Sequence, residues 1–418
     1  MKCFTRFSQQ LINLNSNVKN TQGNCLSYNV LSNYKMIDQN TSGIYTLSPI
    51  LLRSLKKLEQ LIRNKMNEIE ATEILMPSLS SVHIWKKTGR LNNPDLFTLP
   101  SEELLLQPTH EEEVTRFISS YNKSFSSNGL PIKVYQISSK FRNELNPKNG
   151  LFRAREFLMK DLYTFHESEK CLLETYEKVK GAYTSLMDDL RIPHFIAKAY
   201  NGDIGGIRKI ISTDTCPNCS SPESLQNIIG CELGHLFVIG DRYSSILNAT
   251  YHKDSKHLPY QMACFGIGIS RLLAAGIEVN MKLKGATAEI LWPKPLLPFL
   301  GVVSFQKTSA KDHVQDSDKS VILDRMSSLC RESLLDTKDV LYDDRQKDSF
   351  GSKLKDYKKL GLPFSLFIKR NDESATLERE YEFVDVSSGR SFSVNIDEAV
   401  NIFKTGDIPQ STKPWVVK

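Results

Sequence analysis

Two β-rich runs, residues 132–142 and 157–165, stand on either side of a turn at 146–150, and a long amphipathic helix follows over 168–190. Runs joined through a turn with no helical segment between them are expected to pair antiparallel, since a parallel crossover usually carries a helix. The same economy recurs nearby. Phe97-Thr-Leu99 and Leu104-Leu-Leu106 suggest a hairpin, and strands are expected over 236–239 and 261–265, the last running into a helix from 269 to about 279. Upstream, Ser48-Pro49 is read as a serine cap with proline at the first helical position. Leu51, Leu55, Leu58, Ile62, Met66 and Ile69 then fall on one helical face. A short strand at 72–75 stops at Pro77, and residues 111–125 read as helix. Strands linked by turns, with helices outside them, exclude a regular βαβα alternation. The fold class expected is α+β, a mainly antiparallel sheet flanked by helices.

Three prolines within 292–298 close this region. Beyond them a strand at 300–305, a helix to about 335, a strand at 340–342, a helix around 353–360 and a strand at 364–368 describe a small α/β domain. The expected division is therefore 26–293 and 294–418. With 40% hydrophobic and 24% charged residues the chain is not disordered. No apolar run is long enough to span a membrane. Eight cysteines are too sparse for a disulfide scaffold and point to a reducing compartment. The net charge of +6 permits an RNA partner without requiring one. The first acid is Asp38, where average composition would place about four or five before it. Lys2, Arg6, Lys19 and Lys35 make this Ser- and Asn-containing stretch basic, and it lacks the apolar core of a secretory signal. Residues 1–25 are accordingly expected to be a mitochondrial transit peptide.

Four constellations carry chemistry. Arg142 and Glu144 are two apart, so on a strand both face the same way, and Arg153, Arg155 and Phe157 follow the turn. Forked donors and a flat ring suit a triphosphate bearing a base, although a solvated hairpin with internal ion pairs has the same composition. Gly266 and Gly268 precede a helix with Arg271 in its first turn, an arrangement that lets backbone approach an anion. It is not the GxGxxG of a dinucleotide site, and no P-loop is present. Pro108-Thr-His-Glu-Glu-Glu113 is acid-rich at a helix start, which capping alone explains. Cys216, Cys219, Cys231 and His235 have a spacing open to zinc, but Gly230–Gly234 reads as strand and turn, and the expectation is no metal.

Together these residues resemble class II aminoacyl-tRNA synthetases, and among them the prolyl type of bacteria and mitochondria. Thr41-Ser-Gly-Ile-Tyr-Thr-Leu-Ser-Pro49 is similar to the entry segment of that family, and residues 51–77, ending Ile74-Leu-Met-Pro77, to its motif 1. Ile84-Trp-Lys-Lys-Thr-Gly-Arg90 and Pro108-Thr-His-Glu-Glu112 are further family stretches. Motif 2 falls at about 140–166 and motif 3 at about 261–275, preceded by Glu232-Leu-Gly-His-Leu-Phe237 and Gly240-Asp-Arg-Tyr-Ser244. Val340-Leu-Tyr-Asp-Asp-Arg345 and Lys359-Leu-Gly-Leu-Pro363 resemble the anticodon-binding domain. The resemblance implies ligation of L-proline to tRNA(Pro) through a prolyl-adenylate. It places Arg142 on the α-phosphate of ATP, Glu144 on the adenine amino group and Phe157 on the adenine face. Arg153 and Arg271 hold the γ-phosphate end, with Glu232 and His235 near the ATP. Thr109, Glu111 and Phe237 hold proline, Arg142 and Arg271 being the catalytic pair. Asp344, Arg345 and Lys353 are candidate tRNA contacts. ATP with Mg²⁺, a homodimer through motif 1 and the mitochondrial matrix are also implied. Residues 200–206 are followed within ten residues by Cys216, which leaves no room for the editing domain of many bacterial relatives. Another class II synthetase, such as the threonyl type, and a non-catalytic accessory protein built on the same fold are the alternatives.

Overall fold

The computed structural model describes residues 4–14, 25–121, 129–197, 230–284, 287–307, 314–369 and 379–415. The chain forms two compact units, one of Glu59–Leu272 and one joining Met1–Leu58 to Leu273–Lys418. This differs from the division expected at 293/294, and the reason is long-range bonding with no local signature. Tyr34 donates through its hydroxyl to the Ala288 carbonyl at 2.8 Å. The Leu26 and Ser27 amides donate to the Glu278 carboxylate. Arg53 and Lys57 both pair with Asp339.

The unit of residues 59–272 is built on a five-stranded sheet in the order Gly234–Gly240, Gln261–Gly268, Glu156–His166, Ile132–Phe141, Thr72–Glu73. Every pairing is antiparallel except the last. The hairpin is as expected, and its turn is made by Asn149 and Gly150 at φ 59° and 60°, the left-handed region those two residues tolerate. The helix Glu169–Asp189 covers one face through Leu172, Val179, Tyr183 and Leu186, with Ser168 accepting from the Cys171 amide as its cap. The hairpin Phe97–Leu99 with Leu104–Leu106 also forms, extended by Leu79–Ser81. The helix starting at Glu111 ends at Ser119, where residues up to 125 had been expected; residues 122–128 lie outside the described ones. Arg142 and Glu144 lie past the end of their strand at Phe141, so the alternation argument for their common direction does not apply.

The amphipathic helix Pro49–Glu68 has proline in its first turn, and all six predicted apolar residues are buried. Ser48 does not cap it. Its hydroxyl is buried without a partner, while its carbonyl accepts from Leu52. The helix stops where Glu70 turns left-handed (φ 58°) and the Ala71 amide reaches back to Met66.

The other unit carries a six-stranded sheet in the order Thr5–Arg6, Val340–Asp343, Gly301–Phe305, Phe364–Ile368, Tyr381–Asp385, Ser391–Val394. The first three pairings are parallel and the last two antiparallel. Strands Gly301–Phe305 and Phe364–Ile368 are buried along their whole length, as parallel strands between helices must be. The helices Asp316–Glu332 and Ile396–Thr405 contribute Ile322, Met326, Val400 and Phe403 to the same core. Sequence reading missed the last two strands and the final helix, although Asn395 and Glu398 form a complete capping box there.

The acid-free N-terminal stretch is folded over residues 4–14. Thr5–Arg6 adds an edge strand beside Val340–Asp343, and Phe4 belongs to the hydrophobic core of the unit. Phe7 is buried under the Arg345 guanidinium, 3.8 Å from its ring centroid, and beside Tyr357. Ser8 donates to both oxygens of Asp344, and Lys359 donates to the Leu14 carbonyl. The reading of residues 1–25 as an address separate from the folded body did not anticipate this packing.

Candidate active site

Ten residues singled out for ATP and proline come from five separate stretches of the unit of residues 59–272, and all ten line one cavity of about 190 Å³. They are Thr109, Glu111, Arg142, Glu144, Arg153, Phe157, Glu232, His235, Phe237 and Arg271. The hairpin with its connection, the start of the helix Glu111–Ser119, the edge strand Gly234–Gly240 and the start of the helix Ile269–Val279 position them.

One end of the cavity is cationic. Arg142 lies over Phe157, its guanidinium carbon 5.2 Å from the ring centroid, and reaches the Pro108 carbonyl at 3.4 Å. Its Nε is buried with no hydrogen-bond partner. Burial, and then the charge of Arg271, make its proton easier to lose than that of an ordinary arginine. Arg271 is aimed by two backbone carbonyls, Phe152 at 2.9 Å and Glu232 at 2.7 Å. Arg153 pairs with Glu144 at 2.7 Å. Burial pushes the Glu144 carboxyl up, but the Arg153 bond outweighs it and leaves it below the usual range. The hairpin therefore does hold an internal ion pair, and that pair lines the cavity.

The far wall is His235 stacked on Phe237, with centroids 4.4 Å apart. The ring lies on Gly266: a Cβ there would sit 2.3 Å from His235 Cε1. Gly266 thus makes room for a side chain of the wall, where a ligand had been expected. Glu232 stands 3.6 Å from His235 Nδ1; burial raises its carboxyl, and His235 together with the charges of Arg271 and Arg142 brings it below the usual range.

The other end is acidic. Thr109 donates to Glu111 Oε2 at 2.7 Å, and the Tyr163 hydroxyl accepts from the His110 amide at 2.9 Å. Behind them Lys140 and Asp161 form a buried pair at 2.6 Å. Burial, then Lys140, push the His110 imidazole down to about 4, so it is neutral. Sequence reading assigned no role to Arg90 and Tyr243, which also line this end. Both lay within quoted stretches, but only the fold brings them to Glu111.

In the other unit the three candidate tRNA contacts are engaged internally. Arg345 bonds Asp343 and Asp356. Asp344 is bonded by Ser8. Lys353 is buried and donates to the Phe305 carbonyl. All three have partners inside the unit, which gives them a structural part. Cys216, Cys219 and residues 200–212 lie outside the described residues; Cys231 is exposed.

Residues 97–280 match the model of the tRNA synthetase class II core domain (G, H, P, S and T). A protein of Schizosaccharomyces pombe named "Probable proline--tRNA ligase, mitochondrial" is 32% identical over 399 residues, covering 86% of this chain and 89% of its own. The proline--tRNA ligase of Ehrlichia canis (strain Jake) is 32% identical, covering 88% of this chain and 93% of its own. Among solved structures, prolyl-tRNA synthetase from Cryptosporidium parvum complexed with L-proline and AMP superposes with a TM-score of 0.70 over 93% of this chain and 77% of that one, at 16% identity. That likeness speaks for the fold. With the cavity and the two full-length relatives it leads to one conclusion: this chain belongs to the proline--tRNA ligase family of class II aminoacyl-tRNA synthetases.

Proposed function

We propose that the protein activates L-proline with ATP and transfers it to tRNA(Pro) in mitochondria. The observation that carries this reading is the polarity of one small cavity, a buried carboxylate with a hydroxyl at one end and three guanidinium groups at the other. Proline is a short zwitterion with a secondary ammonium, and Glu111 with Thr109 suits that end. Arg142, one of the three guanidinium groups, also feels the Glu111 charge and is assigned to the point where the substrate carboxylate meets the α-phosphate.

A carboxylate oxygen of proline attacks the α-phosphorus, the bond to the β-phosphate oxygen breaks, and pyrophosphate leaves with that electron pair. The protein positions both reactants and neutralises growing charge. Arg142 stabilises the α-phosphate oxygens, and its partnerless Nε is a donor in reserve for them. Arg271 and Arg153 receive the pyrophosphate end. Phe157 offers a ring face to adenine. The Glu232 carboxylate, partly open to the cavity, suits a magnesium ion carried on the phosphates. That ion would supply further neutralisation of the leaving group. The terminal hydroxyl of tRNA then attacks the prolyl carbonyl and AMP leaves.

The region of residues 294–418 is assigned to the anticodon, the helix Pro49–Glu68 to a homodimer, and the basic N-terminus to mitochondrial import; the mitochondrial names of relatives support the last. ATP–pyrophosphate exchange with each of the twenty amino acids tests the whole reading. Proline is expected to drive exchange. Exchange with another amino acid instead would overturn the pocket assignment, and ATP binding without any exchange would make this an accessory protein.

A further inference from the structure

Arg90 is an internal cation at the acidic end of the cavity. Its Nη1 lies 3.2 Å from Glu111 Oε2 and 3.1 Å from Glu112 Oε1. The guanidinium is held between two rings, Trp85 at 4.9 Å and Tyr243 at 5.7 Å, and the side chain is only 6% exposed. Glu112 takes a further bond from Thr88 at 2.9 Å. One guanidinium thus serves two buried carboxylates, and with both ionised the group of three carries one excess negative charge. A substrate ammonium would complete its neutrality.

Without a cation, burial would drive Glu111 to take up a proton, and a neutral carboxyl cannot balance an ammonium. With Arg90 in place, burial is outweighed by the guanidinium and by the Thr109 bond, and Glu111 is held below the usual range. Glu112 absorbs the cost: burial pushes it up to about 7 despite the same arginine. The other charged or titratable groups facing Glu111 do not replace Arg90. His110 on its own segment is neutral, and Asp161, Tyr163 and Cys264 from the sheet act against ionisation or are themselves protonated. Tyr243 is protonated as well, and Arg142 belongs to the phosphate end.

We propose that Arg90 is a positioning residue for the amino-acid substrate, keeping Glu111 ionised and aimed at the ammonium while sharing its charge with Glu112. The proposal rests on the reading of Glu111 as the ammonium partner. The test is ATP–pyrophosphate exchange by the full chain, with proline varied from about pH 6 to about pH 8.5. Arg90→Gln should raise KM for proline at least about thirtyfold at neutral pH, with KM for ATP within about twofold. The rise should be steeper on the acid side, because the unshielded carboxylate then protonates. Arg90→Lys should recover much of the loss and restore the parental pH profile. Glu112→Gln removes the carboxyl that titrates at about 7 and should flatten kcat/KM for proline across that pH range, and it serves even if Arg90→Gln does not fold. An unchanged KM in Arg90→Gln, an equal rise at every pH without rescue by lysine, or a parental pH profile in Glu112→Gln would overturn the proposal. Glu111→Gln separates the two ideas. If it leaves KM for proline unaltered, the reading of Glu111 fails. If it raises KM while Arg90→Gln does not, only the role of Arg90 fails.

Discussion

An arginine whose Nε is buried without a partner is costly to keep unless something arrives to accept from it. Arg142 is in that position, while Arg271 is already aimed by two carbonyls. Replacing either by alanine should lower proline-dependent pyrophosphate exchange by about a hundredfold or more, with folding judged by circular dichroism. Exchange at the parental rate in either variant would remove it from the chemistry. Gly266 offers a second test. A methyl group there meets the His235 ring at 2.3 Å, so Gly266→Ala should displace the ring and break its stack on Phe237. The expected result is a higher KM for ATP or proline with the fold intact. At this scale the sequence was informative wherever a side chain had one unusual neighbour in the chain, as in the arginines around the turn at 146–150. It was uninformative for Arg90, whose partners lie 21 and 22 residues away.

Elements obeyed local rules where one face alone had to be buried. The period of Leu51, Leu55, Leu58, Ile62, Met66 and Ile69 gave the long helix, because burying a single stripe needs that spacing. The rules failed where tertiary partners supplied the stability. Thr5–Arg6 is too short to be a strand by itself and exists because Val340–Asp343 offers an open edge. Deleting residues 4–14 should therefore expose that edge and release Arg345 from Phe7. Hydrogen exchange should show amides of Val340–Asp343 losing protection, while the strand Glu156–His166 keeps its own. Unchanged exchange at Val340–Asp343 would mean the segment contributes nothing to the sheet. Phe7→Ala is the milder form, expected to cost this unit about 3 kcal/mol if the ring packs as a core residue does.

For the molecule as a whole, the span between residues 206 and 216 leaves no space for an inserted hydrolytic domain. A small pocket discriminates against an amino acid smaller by a methylene by only about 1–3 kcal/mol. Alanine should therefore be activated and attached to tRNA(Pro) at a detectable level and not cleared by this chain; rapid deacylation of alanyl-tRNA by the purified protein would count against this. The sequence by itself determined the fold class, the hairpin at the centre of the catalytic sheet and ten residues that share one cavity. The first two depend on hydrophobic period and turn chemistry, which are written locally; the ten residues came from the resemblance to the synthetase family. Only the tertiary structure decided that residues 4–14 complete a distant sheet, that Arg345, Asp344 and Lys353 are spent inside their own unit, and that Arg90 stands between Glu111 and Glu112. Each of those follows from which groups burial brings together, and a buried charge takes its meaning from the neighbours that offset it.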